Sequence, residues 1–265
     1  MAEVTALFRY PIKGLSAEPL AELTLARNAG LAFDREFALA LGTTAFDPQH
    51  PEPLDKGFFL MLRSNEVMAT LTTRFEPETG LLTVKWDGQT VLTEDVTTEA
   101  GREAVEHYFE ALVGPATRGR PRLVRAAGHK FTDGSVISPA FMRAVSLINL
   151  ASIRALEERT GTPIHPLRFR ANIYVDGLAP WEELGWVGRE VSVGGLRLRG
   201  LARTPRCAAI DVNPETAERD THLPKALKRH FGHVDLGIYL EVLADGTLAV
   251  GDRLELVPED SNSGT

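Results

Sequence analysis

The single cysteine of the sequence, Cys207, stands beside two arginines in the segment Arg203-Thr-Pro-Arg206-Cys207. Neighbouring positive charge favours the thiolate, which is the form of cysteine that acts as a nucleophile or as a ligand for a soft metal. The alternative is structural, because free cysteine is among the most buried residue types and an apolar run follows this one. Cys207 is therefore the candidate catalytic residue and the candidate metal ligand.

A second group of polar residues, Arg168-Phe-Arg170-Ala-Asn172, comes just before a predicted strand. Side chains at alternate positions of an extended chain point the same way, so Arg170 and Asn172 face one side. An arginine and an amide placed like this could bind a phosphate or a polar heterocycle through paired hydrogen bonds. A solvated strand start with a surface ion pair explains the same residues, and both interpretations stay open.

Two loops of the first half carry cations that could contact an anion. Lys13 and Gly14 directly follow an apolar run, and Arg35 lies in the segment Phe33-Asp-Arg35-Glu. A flexible loop of this kind can offer backbone N–H groups and a charged side chain to a phosphate. An ordinary charged residue in a turn is the alternative at both positions.

The elements that must position these residues are mostly strands in the first hundred residues. Leu81–Trp86, followed by Asp87-Gly88, predicts a β-hairpin. Apolar residues at helical spacing then predict an amphipathic helix over residues 98–113, which Gly114 ends. Strands joined by short turns indicate a small β-barrel or an open antiparallel sheet in this half.

The second half mixes strands with short helices. Helices are predicted at residues 150–159 and 224–231, with Asn149 as the N-cap of the first. The predicted strands are residues 172–175, 190–193, 196–202 and 208–212, and a closing hairpin is predicted over residues 237–257. The fold class expected for the whole chain is therefore mixed and mainly β.

Composition and charge limit the classes of function. The chain has 265 residues, and 36 acidic against 29 basic side chains leave a net charge of −7, so no nucleic-acid partner is expected. No run approaches the ~20 apolar residues that cross a bilayer. The N-terminus does not resemble a signal peptide, and we expect a cytoplasmic protein without membrane contact. One cysteine excludes intramolecular disulfides and clusters held by four thiolates.

A basic segment containing Gly and Pro separates the two halves. We predict a first domain at residues 1–115, a basic linker at 116–130, a second domain at 131–258 and a disordered tail at 259–265. The linker carries arginines and a lysine without any acid between residues 118 and 130. It is either a solvated connection or a docking strip for an acidic partner such as an electron-transfer protein.

Several of these segments, taken in order, resemble the MOSC family, which is named after the C-terminal domain of molybdenum cofactor sulfurase. Tyr10-Pro-Ile-Lys13 and Phe33-Asp34-Arg35 are similar to the family's N-terminal β-barrel domain. Four later segments are similar to the MOSC domain itself: Val145-Ser-Leu-Ile-Asn-Leu-Ala-Ser152, Arg168-Phe-Arg170-Ala-Asn172, Arg206-Cys207 and Gly232-His-Val-Asp-Leu-Gly237. The resemblance covers nearly the whole chain and includes bacterial relatives of the mitochondrial amidoxime-reducing components.

The resemblance implies a protein of two β-barrel domains with a few peripheral helices, which binds the molybdenum cofactor (Mo-molybdopterin) between its halves. Carried over residue by residue, it makes Cys207 the metal ligand. The cofactor-binding residues that it implies are Lys13, Arg35, Ser146, Asn149, Arg170, Asn172 and Arg206. Of these, Lys13 and Arg35 would reach the phosphate of the cofactor from the N-terminal domain.

The activity implied by the resemblance is the reduction of small N-hydroxylated compounds, with electrons from a separate electron-transfer protein or reductase. A sulfur carrier or transferase with a persulfide on Cys207 is one alternative, because the family's namesake is fused to a pyridoxal-phosphate desulfurase domain. A carrier that stores or delivers the cofactor without turnover is the other.

Two departures from the family pattern bear on this interpretation. Gly14 stands where many relatives have a serine, which removes one hydroxyl contact. Asp211 occupies a position often held by Thr or Asn, and a carboxylate there would oppose a bound anion if it pointed inward.

Overall fold

Strands dominate residues 2–258, which are the residues that this computed structural model describes. The strands are β1 (Ala2–Arg9), β2 (Glu18–Leu20), β3 (Glu22–Ala26), β4 (Gly30–Leu31), β5 (Phe37–Ala40), β6 (Leu71–Glu76), β7 (Leu81–Trp86), β8 (Gln89–Asp95), β9 (Arg122–Arg125), β10 (Val145–Asn149), β11 (Ile173–Asp176), β12 (Glu190–Val193), β13 (Leu196–Pro205), β14 (Asp235–Ala244), β15 (Gly246–Ala249) and β16 (Arg253–Leu256). The helices are α1 (Glu99–Val113), α2 (Pro139–Arg143), α3 (Leu150–Thr160) and α4 (Leu223–Phe231). Short 3-10 helices occupy Lys56–Phe58, Glu66–Thr70, Gly114–Thr117, Pro166–Phe169, Glu182–Trp186 and Ala208–Asp211. The mainly β class predicted from the sequence is confirmed.

Seven strands close into a barrel in the order β1, β11, β10, β14, β13, β12, β16 and back to β1. Neighbours run antiparallel except β10 and β11, which are parallel and are joined through α3. Closure leaves the seven strands without a free edge. Apolar side chains such as Val4, Leu147, Leu198 and Leu240 fill the interior, so the barrel is a packed core rather than a channel.

The first thirty residues are hydrogen-bonded to the second half of the chain. In β1, Leu7 pairs with Ile173 of β11, and in β3, Leu23 pairs with Leu248 of β15. The predicted first domain is thus tied to the predicted second domain from its first strand onward. Of its other strands, β6, β7 and β8 form a separate sheet, and β5 pairs with β9, which lies in the predicted linker.

The predicted hairpin and amphipathic helix of the first half are both present. Asp87 and Gly88 form the two-residue turn between β7 and β8, and their φ angles of 49° and 73° are those an Asp-Gly turn provides. The side chain of Thr98 caps α1 by accepting from the N–H of Gly101. Val105 belongs to the buried face of α1, which packs into the separate apolar core of this half.

Two local predictions for the second half are wrong. Residues 208–211 form a 3-10 helix and not a strand, and the carbonyl groups of Ala208 and Asp211 accept hydrogen bonds from the side chains of Arg219 and Arg168. The closing hairpin does not form either, since β15 pairs with β3 instead of β14. The backbone N–H of Arg27 donates to Asp245 Oδ1 at 2.6 Å, which holds the β14–β15 turn against β3.

The predicted basic linker contains a strand, β9, which pairs with β5 through contacts such as Leu123 with Leu39. Leu123 and Val124 are buried there, whereas the flanking arginines are exposed. The predicted tail at residues 259–265 lies outside the described residues. Within residues 2–258, no helix combines the length and the apolar character needed to cross a membrane.

Candidate functional site

A cavity of about 170 Å³, here called the inner pocket, lies where the ends of barrel strands meet loops of the first half. It brings together seven of the eight site residues predicted from the sequence. They are Lys13, Arg35, Ser146, Arg170, Asn172, Arg206 and Cys207. Positions up to 194 residues apart in the chain therefore share one cavity.

Cys207 lies between the end of β13 and the 3-10 helix at residues 208–211. Its side chain is half-buried, so the thiol is open to a ligand in the pocket. Arg206 and Lys56 interact electrostatically with Cys207, since a negative charge at Cys207 favours the protonated form of each. Burial lowers the pKa of Lys56, but the negative charges of Asp133 and of Cys207 outweigh this effect and raise it overall.

Arg168 fixes the turn that follows Cys207. Its guanidinium donates to the carbonyl oxygens of Ile210 and Asp211 at 3.4 and 3.1 Å. The same group binds both oxygens of Asp220 at 2.7 Å each. Because Arg168 is buried, this bidentate pair is a structural fixture of the turn.

Arg219 joins the same turn to the first half. It donates to the carbonyl oxygen of Ala208 at 2.9 Å, next to Cys207. It also donates to the carbonyl oxygens of Leu62 and Arg63 at 3.2 and 2.6 Å. The position of the thiol relative to the first-half loops is thus set by one arginine on one side and by Arg168 on the other.

Two arginines stack on the buried ring of Tyr10. The guanidinium carbons of Arg35 and Arg170 lie 4.2 and 4.5 Å from the ring centroid. Arg35 donates to both oxygens of Asp34, at 2.8 and 2.7 Å, and to the carbonyl oxygen of Arg170 at 2.8 Å. Burial lowers the pKa of Arg35, but the charge of Asp34 more than offsets this, and the pKa is raised.

Arg170 differs from Arg35 in having no acceptor. Among the described residues, no oxygen accepts a hydrogen bond from its guanidinium. Burial, with the repulsion of Arg35, lowers the pKa of Arg170 to about 10. Its backbone adopts φ 54°, which turns the chain between the 3-10 helix at 166–169 and β11. Arg170 is thus a charged group held in the pocket wall with its hydrogen-bonding capacity unused.

Arg206 is compensated only by backbone carbonyls. Its guanidinium donates to the carbonyl oxygens of Leu236 and Phe169, the latter at 2.8 Å. No carboxylate pairs with it among residues 2–258. Burial lowers the pKa of Arg206, and the opposing influence of nearby tyrosines such as Tyr239 does not offset this effect.

Lys13 is held by a carboxylate that sequence reasoning did not find. Its Nζ lies 2.5 Å from Asp133 Oδ1 and 3.0 Å from the carbonyl oxygen of Phe131. Lys56 binds the other oxygen of Asp133 at 3.2 Å. Burial raises the pKa of Asp133, but the charges of Lys13 and Lys56 dominate and lower it to about 2. Burial lowers the pKa of Lys13 despite this partner.

Ser146 and Asn172 form a hydrogen-bonded floor. The hydroxyl of Ser146 lies 3.1 Å from Oδ1 of Asn172, and Nδ2 of Asn172 donates to Asp34 Oδ1 and to the carbonyl oxygen of Phe8 at 3.1 Å each. These bonds connect β10 and the segment before β11 to the first half. The side-chain polar atoms of both residues are therefore engaged within the protein.

Asn149 lies outside the lining of the inner pocket. Its side chain caps α3 by accepting from the N–H of Ala151 at 3.0 Å, as the sequence predicts for an N-cap. Its amide donates to the carbonyl oxygen of Ala179 at 2.7 Å and to Glu183 Oε2 at 3.2 Å. All polar atoms of the Asn149 side chain are therefore engaged away from the pocket.

The two departures from the family pattern have structural explanations. Asp211 does not line the pocket, because its carboxylate accepts from the N–H of Leu223 at 2.8 Å at the start of α4. Gly14 has φ 83°, and a Cβ there would lie 3.1 Å from Met68 Cε and 3.2 Å from the carbonyl oxygen of Leu60. A serine is thus disfavoured at position 14 by both backbone and space.

Several residues of the site were missed by sequence reasoning, namely Tyr10, Lys56, Asp133, Thr204, Arg219 and Asp220. Tyr10 stands inside a segment that carries the family resemblance, which is the one signal available for it. Thr204 lines the pocket, is 4% exposed and has an Oγ1 without a hydrogen-bond partner in the described structure. The others depend on contacts between distant positions that a local pattern does not contain.

The donor set fits a phosphorylated heterocycle that carries a soft metal. The lining holds five cations and two carboxylates in a chain of net charge −7, so the pocket is locally positive. Arg170 offers unused N–H donors for a phosphate or a polar ring. Cys207 offers a thiolate, which prefers soft metals. Among the described residues, no group of three or more His, Cys, Asp or Glu side chains is placed so that it could hold a metal ion.

A second cavity, here called the outer groove, adjoins the inner pocket and has a volume of about 410 Å³. Arg168, Arg170 and Ala209 line both cavities. The remaining lining comes from Tyr10, residues 14–17, Leu62, residues 68–72, the turn of the β7–β8 hairpin, Leu167, Val212, Pro214 and Glu215.

Comparison with family models gives two matches that together cover most of the chain. The model described as "MOSC domain" matches residues 126–255. The model described as "MOSC N-terminal beta barrel domain" matches residues 1–118. The two matches fall in the order in which the sequence segments resemble these domains.

Curated relatives include molybdenum cofactor sulfurases. The human protein of that name is 23% identical over 98% of this chain, and the bovine one is 27% identical over 89% of it. The matched part is 33% of the human protein and 30% of the bovine one, so the chain spans about a third of their length. The protein of Drosophila mojavensis with this name is 33% identical over 51% of the chain and 17% of its own length.

Solved structures with some similarity include the YuaD protein from Bacillus subtilis and YiiM from Geobacillus stearothermophilus. YuaD matches with a TM-score of 0.44 and 13% identity, over 96% of this chain and 94% of that one. YiiM matches with a TM-score of 0.36 and 23% identity, over 44% of this chain and 56% of that one.

Proposed function

The chain belongs to the MOSC family, with a MOSC N-terminal beta barrel domain followed by a MOSC domain, and on this premise we propose that its inner pocket binds the molybdenum cofactor. We further propose that the loaded protein reduces small N-hydroxylated compounds. The observation that carries the proposal is that one cavity contains both the half-buried thiol of Cys207 and the guanidinium of Arg170. This guanidinium has no acceptor among the described residues.

Cys207, Tyr10 and four arginines each have a definite part in this proposal. Cys207 supplies the thiolate ligand for the metal, and the turn after it is held by Arg168 and Arg219. Arg170 binds an anionic or polar part of the cofactor with its unused N–H groups, and Tyr10 orients its plane. Arg206 adds positive charge beside the thiolate.

The first-half cations bind more weakly to a ligand because they already hold carboxylates. Lys13 shares Asp133 with Lys56, and Arg35 is bound to Asp34. Their charges still attract a phosphate over a few ångströms, since the pocket walls exclude most water. We assign Lys13 and Arg35 to the phosphate end of the cofactor, as the resemblance implies.

The reaction balances as R–NHOH plus two electrons and two protons giving R–NH2 plus water. When bound, the molybdenum centre supplies two-electron transfer coupled to removal of an oxygen atom. The electrons come from a separate electron-transfer protein or reductase, which is a proposed partner. The protein's own part is to bind the cofactor, to fix the thiolate and to shield the site from water.

Metal and pterin content is the experiment that tests this proposal. We expect protein made in a host competent for cofactor synthesis to carry near-stoichiometric molybdenum and pterin. Cys207→Ala removes the soft ligand, and its molybdenum content falls at least about tenfold while the fold is kept. Ser64→Ala, which changes an exposed small residue outside both cavities, serves as the matched control.

Activity completes the test. Wild-type protein, supplied with a chemical reductant, converts benzamidoxime to benzamidine, and Cys207→Ser abolishes this conversion without a change in melting temperature. Absence of molybdenum and pterin from the wild-type protein, or full turnover by Cys207→Ser, would contradict the proposal.

A sulfur carrier is the second candidate, and the relatives named molybdenum cofactor sulfurase favour it. In this function the Cys207 thiolate attacks the outer sulfur of a donor protein's persulfide, so that the donor leaves as a thiolate and Cys207 becomes the persulfide. Intact-mass spectrometry after incubation with a persulfide donor tests it, since the added sulfur increases the mass and is lost on reduction. A stable Cys207 persulfide in protein free of molybdenum would favour this candidate. Stoichiometric cofactor without any reductase activity would instead indicate a carrier of the cofactor.

A further inference from the structure

The outer groove is a built cavity that the proposed function leaves without an occupant. Its volume of about 410 Å³ falls in the size range of small-molecule sites. It opens onto the turn that carries the thiol, because Ala209 lines both cavities and lies two residues after Cys207. A molecule in the groove can therefore reach the inner pocket past Ala209 and Arg170.

The walls of the groove are mostly apolar or small. The apolar lining comes from both halves of the chain: Leu15, Ala17, Leu62, Met68, Ala69, Leu71, Leu167, Val212 and Pro214. The hydroxyls of Ser16 and Thr70 are engaged elsewhere, with Thr73 and with the carbonyl oxygen of Val67. Such a lining favours a flat apolar body over a strongly hydrated one.

The charged residues of the groove differ in their partners and in whether they also line the inner pocket. Arg170, with no acceptor among the described residues, lies on the wall shared with the inner pocket. The positive charge of Arg168 is already neutralised by its ion pair with Asp220. The exposed carboxylates of Asp87 and Glu215, in contrast, line only the outer groove.

An occupant that satisfies these charges has an electronegative atom directed to Arg170 and a donor or cation within reach of Asp87 or Glu215. An N–OH oxygen meets the first requirement, and it then lies at the entrance to the inner pocket. A compound with a carboxylate at its far end meets Asp87 and Glu215 as like charges, which disfavours binding.

We propose that the outer groove is the substrate compartment of the protein. It selects N-hydroxylated compounds with a flat apolar body and a cationic or neutral donor end over compounds of the same shape with an anionic end. This inference rests on the proposed function, because it assigns the substrate of that same reaction. It adds the compartment, the orientation and the charge preference.

Three compounds of one shape test the charge preference: benzamidoxime, its 4-aminomethyl derivative and its 4-carboxy derivative. Binding is measured by ligand-observed NMR on protein purified without molybdenum, and KM is measured on the loaded protein. We expect the aminomethyl compound to bind about tenfold more tightly than the carboxy compound, since two partly screened carboxylates act together. Glu215→Gln or Asp87→Asn each reduces this ratio about threefold, whereas Glu78→Gln, at an exposed position outside the groove, leaves it unchanged.

A space-filling variant tests the compartment itself. Ala69→Phe places a ring in the groove and weakens binding of all three compounds at least about tenfold, while the molybdenum content stays close to wild type. Ala104→Phe, on a half-buried position of α1 outside both cavities, is the matched control. If Ala69→Phe lowers the melting temperature, the two carboxylate variants still decide the question.

The outcomes separate this inference from the proposed function. Equal affinity for the aminomethyl and carboxy compounds, or unchanged binding in a folded Ala69→Phe variant, overturns the substrate compartment. Missing molybdenum or missing turnover overturns the proposed function, and the binding series on cofactor-free protein still reports on the groove alone. If substitutions in the groove change KM little but strongly lower the molybdenum content, the groove binds the cofactor, and the inference is also overturned.

Discussion

The cations of the inner pocket are compensated differently in the two halves of the chain. Lys13 and Arg35, from the first half, hold carboxylate oxygens at 2.5 and 2.7 Å. Arg170 and Arg206, from the second half, hold no carboxylate within the described part of the chain, and burial lowers the pKa of both. Arg168, also from the second half, is paired with Asp220, so the cavity combines three cations that hold a carboxylate with two, Arg170 and Arg206, that hold none in the described residues.

This difference separates two tasks that the cations perform. A paired buried cation contributes to folding, because removing it leaves a buried carboxylate alone. An unpaired buried cation costs folding free energy, and such a cost is commonly kept where a ligand supplies the missing charge. Lys13 and Arg35 therefore contribute to folding, whereas Arg170 and Arg206 provide the charge available to a ligand.

Matched substitutions of Arg35 and Arg170 test this comparison most strongly. Arg35→Gln leaves Asp34 buried without its partner, and we expect the free energy of unfolding to fall by about 3 kcal/mol. Arg170→Gln removes the contact with the Tyr10 ring but no hydrogen bond, so we expect stability to change by less than about 1 kcal/mol, with cofactor affinity lowered about 10- to 100-fold. Urea unfolding of cofactor-free protein and molybdenum retention on dilution measure the two effects.

The comparison fails if the two variants behave alike. A large loss of stability in Arg170→Gln would mean that this arginine is compensated by something other than a ligand. Full cofactor retention in Arg170→Gln, with wild-type stability, would remove Arg170 from the binding site.

Local elements were predictable from the sequence because their causes are local. The β7–β8 hairpin follows from an Asp-Gly turn between two strands, and α1 follows from apolar spacing. The pairing of β15 with β3 was not predictable, since it joins Leu248 to Leu23 across most of the chain. The barrel closure through β1 has the same origin, because strand pairing over such separations leaves no local pattern.

The candidate site was predictable in its residue types but not in its electrostatics. Cys207 and Arg170 stood out by neighbouring charge and by spacing. The partner of Lys13 is 120 positions away, at Asp133, so no local pattern distinguishes a paired lysine from a free one. Asn149 shows the converse, since its motif position indicated a ligand contact whereas its side chain caps α3.

Thr204 extends the comparison to a neutral side chain, which comes from the second half and lines the inner pocket. Its hydroxyl oxygen is buried without a partner in the described structure, which costs about 1 kcal/mol or more. Thr204→Val keeps the shape in a strand position, and we expect the free energy of unfolding of cofactor-free protein to rise by about 1 kcal/mol. If the hydroxyl serves the ligand, molybdenum retention falls in the same variant, which is the result we expect.

Thr117→Val is the control for this prediction. Thr117 is also buried, but its hydroxyl donates to the carbonyl oxygen of Gly114 at 2.7 Å. Removing that bond lowers the stability, in the direction opposite to Thr204→Val. A loss of stability in both variants would show that Thr204 has a partner and does not belong with the uncompensated groups.

Glu183 provides the prediction with the smallest expected effect in this comparison. It is a buried charge of the second half that lies outside both cavities, and both oxygens of its carboxylate accept hydrogen bonds. Burial raises the pKa of Glu183 above its usual 4.5, although bonds from Ser152 and Asn149 oppose the shift. A carboxyl whose pKa is raised on folding favours the folded state when protonated, so its stabilisation is complete below the unfolded pKa and is lost as pH rises through the folded pKa. Glu183→Gln does not titrate, so we expect the stability of the variant relative to wild type to increase from about pH 4.5 upward. Urea unfolding at a series of pH values measures this difference, and a difference that is flat with pH would mean that hydrogen bonds from Ser152 and Asn149 compensate Glu183 as fully as Asp34 compensates Arg35.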